Sequence, residues 1–298
     1  MTSFGVIGLG NMGMGMATNL VSKGLPVTAF DLNSERLGAF SKLGGSAATD
    51  VASVGSASDV VFVMVVDAKQ AREVLTGSGK LLASMKPESV VVITATIGNT
   101  AVKSLEEDAK AHGVYLIDSP VSGGRRGADA GELTLMMSGD RRAYEKALPA
   151  FQAIAKDINY IGEEVGMGQA MKACLQGLVG CIYSGMFEAL MLGVKSGLSP
   201  ETIFRTIGTS VANTPLWQNS VPSIMKRKFQ GSGSNIYNTY KDLTITMALA
   251  QEFGVPMTTT GTATQFFQAA NTKFPKDDNE CLIKILEDIV GVQVQATA

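Results

Sequence analysis

FGVIGLGNMGMGMATNL, residues 4–20, is the stretch that decides the fold of this chain. Its short apolar run predicts a β-strand, the glycines predict a tight turn, and the residues after Gly13 predict the start of a helix. In such a unit the first glycine allows the turn, the second lets the backbone approach a pyrophosphate, and the third lets the helix pack closely on the strand. The spacing therefore predicts a dinucleotide-binding turn formed by Gly8, Leu9, Gly10, Asn11, Met12 and Gly13.

Asp31 follows a second apolar run, residues 26–30, and stands about 20 residues after the glycine turn. A carboxylate at this place accepts hydrogen bonds from the hydroxyls of the adenosine ribose, which favours NAD over NADP. A 2′-phosphate would instead call for arginine or a hydroxyl residue directly after the strand. The chain has Leu32 and Asn33 there, and its next arginine is Arg36. The alternative interpretation is an ordinary strand-to-helix turn in which Asp31 caps the helix.

The composition limits the class of protein. Its 298 residues allow two domains, and an apolar fraction of 45% is enough for two hydrophobic cores. The net charge of −2 comes without a block of lysine or arginine, so we expect neither a nucleic-acid partner nor a membrane surface. Cys174, Cys181 and Cys281 cannot all pair with one another and fit no zinc spacing, so we expect reduced thiols in a cytoplasmic protein and no metal ion. The first residues predict a strand without a preceding basic segment and apolar stretch, so we expect no signal peptide.

Short β-branched runs alternate with helical patterns through the first half of the chain, which predicts a parallel sheet covered by helices. The predicted strands are residues 4–7, 26–30, 59–64, 89–94 and 114–118, with an edge pair at 133–137 and 157–161. After Gly166 long helical patterns take over, with breaks at 197–200, 213–215 and 254–256. We expect an α/β Rossmann domain over residues 1–163 and an all-α domain over residues 164–298, joined by a long helix from Gly168 to Ser196.

Part of that helix, residues 170–194, is apolar enough to raise the question of a membrane span. Lys172, Gln176 and Glu188 interrupt the apolar stretch, and glycines and serines dilute it. We therefore expect the central, buried helix of a folded domain.

Two segments carry candidate chemistry at the sheet edge where open α/β folds bind ligands. DSPVSGG, residues 118–124, follows the fifth strand, and its serine with two glycines suits a carboxylate, although a plain Pro/Gly turn explains the same residues. GMGQAMKACLQ, residues 166–176, places Lys172 and Gln176 on one face of an apolar helix. Burial lowers the pKa of a lysine amine toward the range useful for proton transfer, and a surface lysine with a covered stem is the alternative.

Four ordered segments resemble the β-hydroxyacid dehydrogenase family, which includes 3-hydroxyisobutyrate, tartronate semialdehyde and threonate dehydrogenases. Residues 8–20 resemble its cofactor motif, residues 118–124 its substrate-binding motif, and residues 166–176 its catalytic motif. Residues 241–243, followed by 254–256, resemble its fourth motif. The resemblance spans the chain and implies reversible NAD(P)-dependent oxidation of a hydroxy acid, with copies of the chain associating through the helical half.

The resemblance also implies roles for individual residues. It places the essential lysine on Lys172, which would take the hydroxyl proton while hydride passes to the nicotinamide. The residues implied at the substrate are Ser122, Gly123, Gly124 and Gln176. Besides the glycine turn and Asp31, the residues implied at the cofactor are Met64, Val65, Thr96 and Lys241. The family has a Ser-Thr pair close to the nicotinamide ribose where this chain has Ala95-Thr96, so we expect part of the contact with that ribose to be lost.

Two departures from the family pattern concern the substrate. The family usually has asparagine one turn after the lysine, whereas this chain has Gln176, as in threonate and related sugar-acid dehydrogenases. We therefore expect a short polyhydroxylated acid such as threonate, with a substrate hydroxyl bonded to Gln176. The second departure is Arg125-Arg126 after the glycines. An arginine there could reach a second anionic group of the substrate, and a solvated pair at a loop tip is the alternative.

Other functions share this architecture. The substrate could be 3-hydroxyisobutyrate, or the chain could reduce tartronate semialdehyde or succinic semialdehyde. An imine reductase or a catalytically silent dinucleotide-binding protein of this fold generally lacks the lysine, so Lys172 argues against both. We expect a small-molecule substrate and a homodimer or homotetramer.

Overall fold

The computed structural model describes residues 2–296, and the chain divides into two compact units. The first unit comprises Met1–Lys172 and the second comprises Ala173–Ala298. The division falls inside the long helix Met167–Lys195. The first unit is α/β and the second is helical, which confirms the predicted fold class.

A sheet of nine strands forms the centre of the first unit in the described residues. Its strands are β1 Phe4–Ile7, β2 Val27–Phe30, β3 Ser46–Ala47, β4 Val60–Val63, β5 Val90–Ile93, β6 Tyr115–Asp118, β7 Val121–Ser122, β8 Leu133–Ser138 and β9 Ala155–Gly162. They lie in the order β3-β2-β1-β4-β5-β6-β8-β7, and β9 pairs with β8. Strands β1 to β6 are parallel, whereas β8 runs antiparallel to β6 and β7. The strand order reverses at β1, which is the switch point where such sheets bind ligands.

The central strands show why this sequence forms a doubly covered sheet. β4 reads VVFV and β5 reads VVVI, and every residue of both strands is buried. Phe62 and Val92 belong to the hydrophobic core on one face, while Val61 and Val91 belong to the core on the other face. Because successive side chains of a strand point to opposite faces, continuous apolar runs indicate helices on both sides.

The helices of the first unit are α1 Gly13–Ser22, α2 Ser34–Lys42, α3 Val51–Ala57, α4 Ala68–Leu75, α5 Leu81–Ser84, α6 Asn99–Ala111, α7 Gly124–Ala130 and α8 Arg141–Ile154. Side-chain caps that accept bonds from first-turn amides start several of them. The glycines Gly124 and Gly127 obscure the helical pattern of α7 in the sequence. Arg125 and Arg126 lie in the first turn of this helix, so the alternative of a solvated pair at a loop tip is right about their exposure and wrong about the loop.

The second unit continues from α9 Met167–Lys195 into α10 Pro200–Gly208, α11 Pro215–Met225, α12 Ile236–Glu252, α13 Thr258–Lys273 and α14 Ile283–Val290, with a 3₁₀ turn at Asn279–Leu282. α10 and α11 begin at a proline, a position where the missing amide costs no helical hydrogen bond. Phe187, Trp217 and Phe267 are fully buried and lie in the core of this unit.

α9 has two different faces within the second unit. Phe187, Leu190 and Met191 are buried in the core, whereas Leu178 and Leu192 are 61% and 70% exposed. By length and composition alone the helix could span a membrane, and 39% of its most apolar 18-residue window is buried. The prediction of a buried central helix is therefore right for one face and wrong for the other.

Candidate active site

The glycine turn connects β1 to α1, and its backbone leaves room for a ligand. Gly8 has a φ of 93°, and a Cβ there would lie 2.2 Å from the carbonyl oxygen of Met64. A Cβ on Gly13 would lie 1.8 Å from the carbonyl oxygen of Gly8, so glycine is required for α1 to approach this closely. A Cβ on Gly10 would meet nothing within 4 Å. Since α1 also begins without a side-chain cap at Met12, its first-turn amides fit a pyrophosphate.

Asp31 directly follows β2, and only 9% of its side chain is exposed. Its carboxylate accepts hydrogen bonds from the amides of Leu9 at 2.7 Å and Asn33 at 2.8 Å. The side chain that caps α2 is Asn33, so the alternative in which Asp31 caps this helix does not fit. Arg36 Nη1 lies 3.5 Å from Asp31 Oδ2, a contact that the sequence analysis missed. A carboxylate and a cation therefore stand together beside the glycine turn.

Three further predicted cofactor residues follow strands of the same sheet. Val65 Cγ1 lies 3.8 Å from the position of a Cβ on Gly8, and Met64 Cβ lies 3.6 Å from that of a Cβ on Gly13. Thr96 follows β5, which is the parallel neighbour of β4. The carboxyl ends of β1, β4 and β5 thus bring these residues to one edge of the sheet.

Ser122 ends β7, and the two glycines after it turn the chain into α7. Gly123 and Gly124 have φ angles of 126° and 59°, which side chains rarely adopt, so both positions favour glycine. Arg125 in the first turn of α7 is half-exposed, with its Nε 3.4 Å from Asp129 Oδ2. The structure thus shows a conformational reason for the two glycines that does not depend on a ligand.

Asn19 holds α1 against α7, a role that the sequence analysis missed. Its Nδ2 donates to the carbonyl oxygens of Gly15, Ala128 and Asp129, at 2.8, 2.8 and 3.3 Å. A Cβ on Gly15 would lie 2.6 Å from the backbone carbon of Ala128, so the two helices touch at a glycine. The helix that follows the glycine turn thereby fixes the helix that follows Ser122.

Lys172 is buried, with 7% of its surface exposed. Its Nζ donates a hydrogen bond to the carbonyl oxygen of Val121 at 3.0 Å, across 51 positions of sequence. Val121 directly precedes Ser122, so the fold brings the predicted lysine to the predicted carboxylate segment. The alternative of a solvated surface lysine does not fit this burial.

Asp118, the last residue of β6, binds the start of α9. The carboxylate is fully buried, and its Oδ2 accepts hydrogen bonds from the amides of Gln169 at 2.8 Å and Gly166 at 3.2 Å. Burial raises the pKa of this carboxyl to about 6, although these donors oppose the change. A Cβ on Gly168 would lie 2.4 Å from the carbonyl oxygen of Met136, which explains a glycine where α9 begins.

In the second unit, Gln176 and Lys241 both contact Asp242, a residue to which the sequence analysis gave no role. Gln176 Nε2 donates to Asp242 Oδ2 at 2.7 Å, and Lys241 Nζ lies 3.0 Å from Asp242 Oδ1. Asp242 is buried, with 9% of its surface exposed. Its position directly after Lys241 in the fourth motif was the signal that could have identified it. The carboxylate thus orients two of the predicted site residues.

Comparison with known proteins covers both halves of the chain. The family model described as the NAD binding domain of 6-phosphogluconate dehydrogenase matches residues 3–162. The model described as NAD-binding of NADP-dependent 3-hydroxyisobutyrate dehydrogenase matches residues 166–286.

Curated relatives and a solved structure match nearly the whole chain. The chain is 35% identical over 292 residues to 2-(hydroxymethyl)glutarate dehydrogenase of Eubacterium barkeri, and the match covers 97% of this chain and 96% of the relative. It is 34% identical over 289 residues to L-threonate dehydrogenase of Cupriavidus necator, with 96% and 97% covered. The crystal structure of 3-hydroxyisobutyrate dehydrogenase from Salmonella typhimurium is 28% identical with a TM-score of 0.88, and the match covers 96% of this chain and 100% of that one.

Proposed function

The chain belongs to the β-hydroxyacid dehydrogenase family, and we propose that it oxidises a four-carbon sugar acid such as threonate with NAD as the cofactor. Its membership makes it an NAD(P)-dependent oxidoreductase that acts on the CH–OH group of a hydroxy acid. The choice of threonate and the choice of NAD are the parts that we propose.

One observation carries the assignment of the residues. The buried Lys172 amine lies 3.0 Å from the carbonyl oxygen that precedes Ser122. A substrate carboxylate bound by Ser122, Gly123 and Gly124 would present its hydroxyl-bearing carbon to this amine. Holding the reacting groups together in this way supplies much of the rate gain that an enzyme needs.

Lys172 is the proton-transfer group of the proposed reaction. Oxidation removes a hydride from the carbinol carbon and a proton from its hydroxyl. Bound NAD supplies the hydride acceptor at C4 of its nicotinamide. The neutral Lys172 amine takes the hydroxyl proton as the carbonyl group forms, and the resulting ammonium returns the proton in the reverse direction. The hydrogen bond to the Val121 carbonyl oxygen fixes the direction of the Lys172 side chain during this transfer.

Asp31 supports the choice of NAD. Its carboxylate stands beside the glycine turn, where it accepts hydrogen bonds from ribose hydroxyls and repels a 2′-phosphate. Arg36 lies 3.5 Å from the carboxylate and offsets part of that repulsion. We therefore expect a preference for NAD with measurable use of NADP.

Gln176 supports the choice of a polyhydroxylated substrate. The Asp242 carboxylate holds the Gln176 amide in place, so a substrate hydroxyl that bonds to this amide meets a preorganised partner. 3-Hydroxyisobutyrate has no hydroxyl besides the one that reacts. A site built for a hydroxyl rejects an analogue without it, because its own polar groups are then left unpaired.

A second candidate is a substrate with two carboxylates. A relative of comparable similarity is named 2-(hydroxymethyl)glutarate dehydrogenase, and Arg125 and Arg126 directly follow the two glycines. A guanidinium group binds a carboxylate through two parallel hydrogen bonds. Arg125 already lies 3.4 Å from Asp129, so a second substrate carboxylate would have to compete with that ion pair.

The exposed apolar face of α9 supports self-association. Leu178 and Leu192 on this helix are 61% and 70% exposed, and a second copy of the chain that packed on this helix would bury them. We expect a soluble, cytoplasmic homodimer or homotetramer.

The formation of NADH tests the proposed function. Absorbance of NADH is followed with threonate, erythronate, 3-hydroxyisobutyrate and 2-(hydroxymethyl)glutarate, each over a range of concentrations. We expect the highest kcat/KM with one of the two aldonates. Higher efficiency with 2-(hydroxymethyl)glutarate would establish the second candidate instead, and equal or higher efficiency with 3-hydroxyisobutyrate would reject the sugar-acid assignment.

A further inference from the structure

The Gln169 side chain connects two strand ends through four hydrogen bonds. Its Oε1 accepts from the amides of Ile97 and Gly98, at 2.9 and 3.0 Å. Its Nε2 donates to the carbonyl oxygen of Ala95 at 3.1 Å and to Asp118 Oδ1 at 2.7 Å. A primary amide has two donor and two acceptor positions, so all four are used and the orientation of the amide is fixed.

The segments that Gln169 joins are those that carry the proposed chemistry. Ala95–Gly98 follows β5 and contains Thr96, and Asp118 ends β6 three residues before Val121. The other oxygen of Asp118 binds the backbone amide of Gln169 itself, at 2.8 Å. Lys172 lies three residues further along α9, about one helical turn. The Gln169 side chain thus connects the Ala95–Gly98 segment and the end of β6 to the helix that carries Lys172.

A purely space-filling role does not explain a fully buried glutamine at position 169. Gln169 is 1% exposed, and burying an amide costs free energy unless every polar atom finds a partner. Leucine, which has a similar volume, would fill the space without that requirement. The polar side chain therefore serves the geometry of the groups that it binds.

We propose that Gln169 is a positioning residue that, together with Asp118, sets the distance between Lys172 and the Ala95–Gly98 segment beside the nicotinamide. The inference rests on the proposed function, in which Lys172 transfers the proton and Thr96 lies at the cofactor. Hydride and proton leave the same carbinol group. A shift of about 1 Å between Lys172 and the Ala95–Gly98 segment therefore slows the reaction by about 100-fold.

The substitution Gln169→Leu tests the proposal by separating chemistry from binding. We expect the single-turnover rate of hydride transfer to fall by about 100-fold. The Kd for NADH should change much less than this rate, because the glycine turn and Asp31 are untouched and only the contact of the Ala95–Gly98 segment is affected. The control is Leu75→Ala, which removes a fully buried side chain at the C-terminal end of α4 and leaves the hydrogen bonds of Gln169 in place. This variant should lose thermal stability while each folded molecule keeps the wild-type hydride-transfer rate.

Hydrogen exchange provides a measurement that does not need turnover. The amides of Ile97 and Gly98 lose their acceptor in Gln169→Leu, so they should exchange faster there than in Leu75→Ala. An unchanged hydride-transfer rate in Gln169→Leu would overturn the positioning role, as would an equal loss in both variants. If the wild-type protein oxidised no hydroxy acid, the proposed function would fail by itself. Unchanged exchange at residues 95–98 would then overturn the network separately.

Discussion

Replacing Asp118 with asparagine will change how the stability of this protein depends on pH. In the folded chain, burial raises the pKa of this carboxyl from its ordinary 3.8 to about 6. As the pH rises through that interval, the unfolded chain releases the proton while the folded chain retains it, so ionisation favours unfolding. At about 1.4 kcal/mol per pH unit, the difference between the two pKa values corresponds to about 3 kcal/mol.

Urea unfolding of the wild-type protein and of Asp118→Asn measures this effect. The altered hydrogen bonds of asparagine change the free energy of unfolding by an amount that does not depend on the titration of residue 118. Other carboxylates titrate alike in both proteins and cancel in the difference. We expect the free energy of unfolding of the wild type, relative to the variant, to fall by about 3 kcal/mol as the pH rises from about 4 to about 7.

Asp50 provides a matched control of opposite sign. It is an exposed cap of α3 whose pKa is lowered by hydrogen bonds from Ser53. Its contribution to stability is present above the unfolded pKa and is lost as the pH falls. The free energy of unfolding of the wild type, relative to that of Asp50→Asn, should therefore increase as the pH rises. If the free energy of unfolding of the wild type, relative to Asp118→Asn, stayed constant or increased with pH, desolvation would not be the dominant effect on this carboxyl.

Two further predictions concern selectivity. Catalytic efficiency should be higher with NAD than with NADP, and Asp31→Ser combined with Leu32→Arg should narrow or reverse this preference, because the 2′-phosphate then gains a donor and loses a repelling charge. Steady-state kinetics with both cofactors measure the two kcat/KM values, and a wild-type preference for NADP would contradict the prediction. Gln176→Leu should reduce the preference for threonate over 3-hydroxyisobutyrate by on the order of 1–3 kcal/mol, because one hydrogen bond to the substrate is lost; the ratio of the two kcat/KM values is insensitive to partial misfolding, and an unchanged ratio would show that Gln176 does not bind the substrate.

The strands and the glycine turn could be predicted from the sequence because their signals are local. β4 and β5 lie within the predicted runs, since continuous β-branched residues fit a sheet covered on both faces. Gly8 needs its positive φ, and Gly13 lies against the carbonyl oxygen of Gly8, so both requirements are local and a fixed spacing of glycines marks the turn. Patterns that repeat within a few residues therefore gave the fold class.

The contacts that complete the candidate site could not be predicted, because they join distant positions. Asn19 reaches Ala128, and Gln169 reaches Ile97 and Asp118, through single side chains with no periodic pattern. Helix α7 was hidden by glycines whose conformation depends on the neighbouring strand. Arg36 is close to Asp31 in sequence, but its contact with that carboxylate depends on the direction in which α2 leaves β2, which no local pattern gives.

The turnover number of Lys172→Met with threonate and NAD tests the role of Lys172 in catalysis most directly. Methionine keeps most of the volume and the apolar stem of lysine, so binding of NADH should persist, while the group that accepts the hydroxyl proton is removed. We expect turnover to fall by roughly two orders of magnitude or more, the usual contribution of a general acid or base. Turnover close to that of the wild type, with NADH still bound, would show that the proton goes elsewhere and that Lys172 is not the catalytic residue.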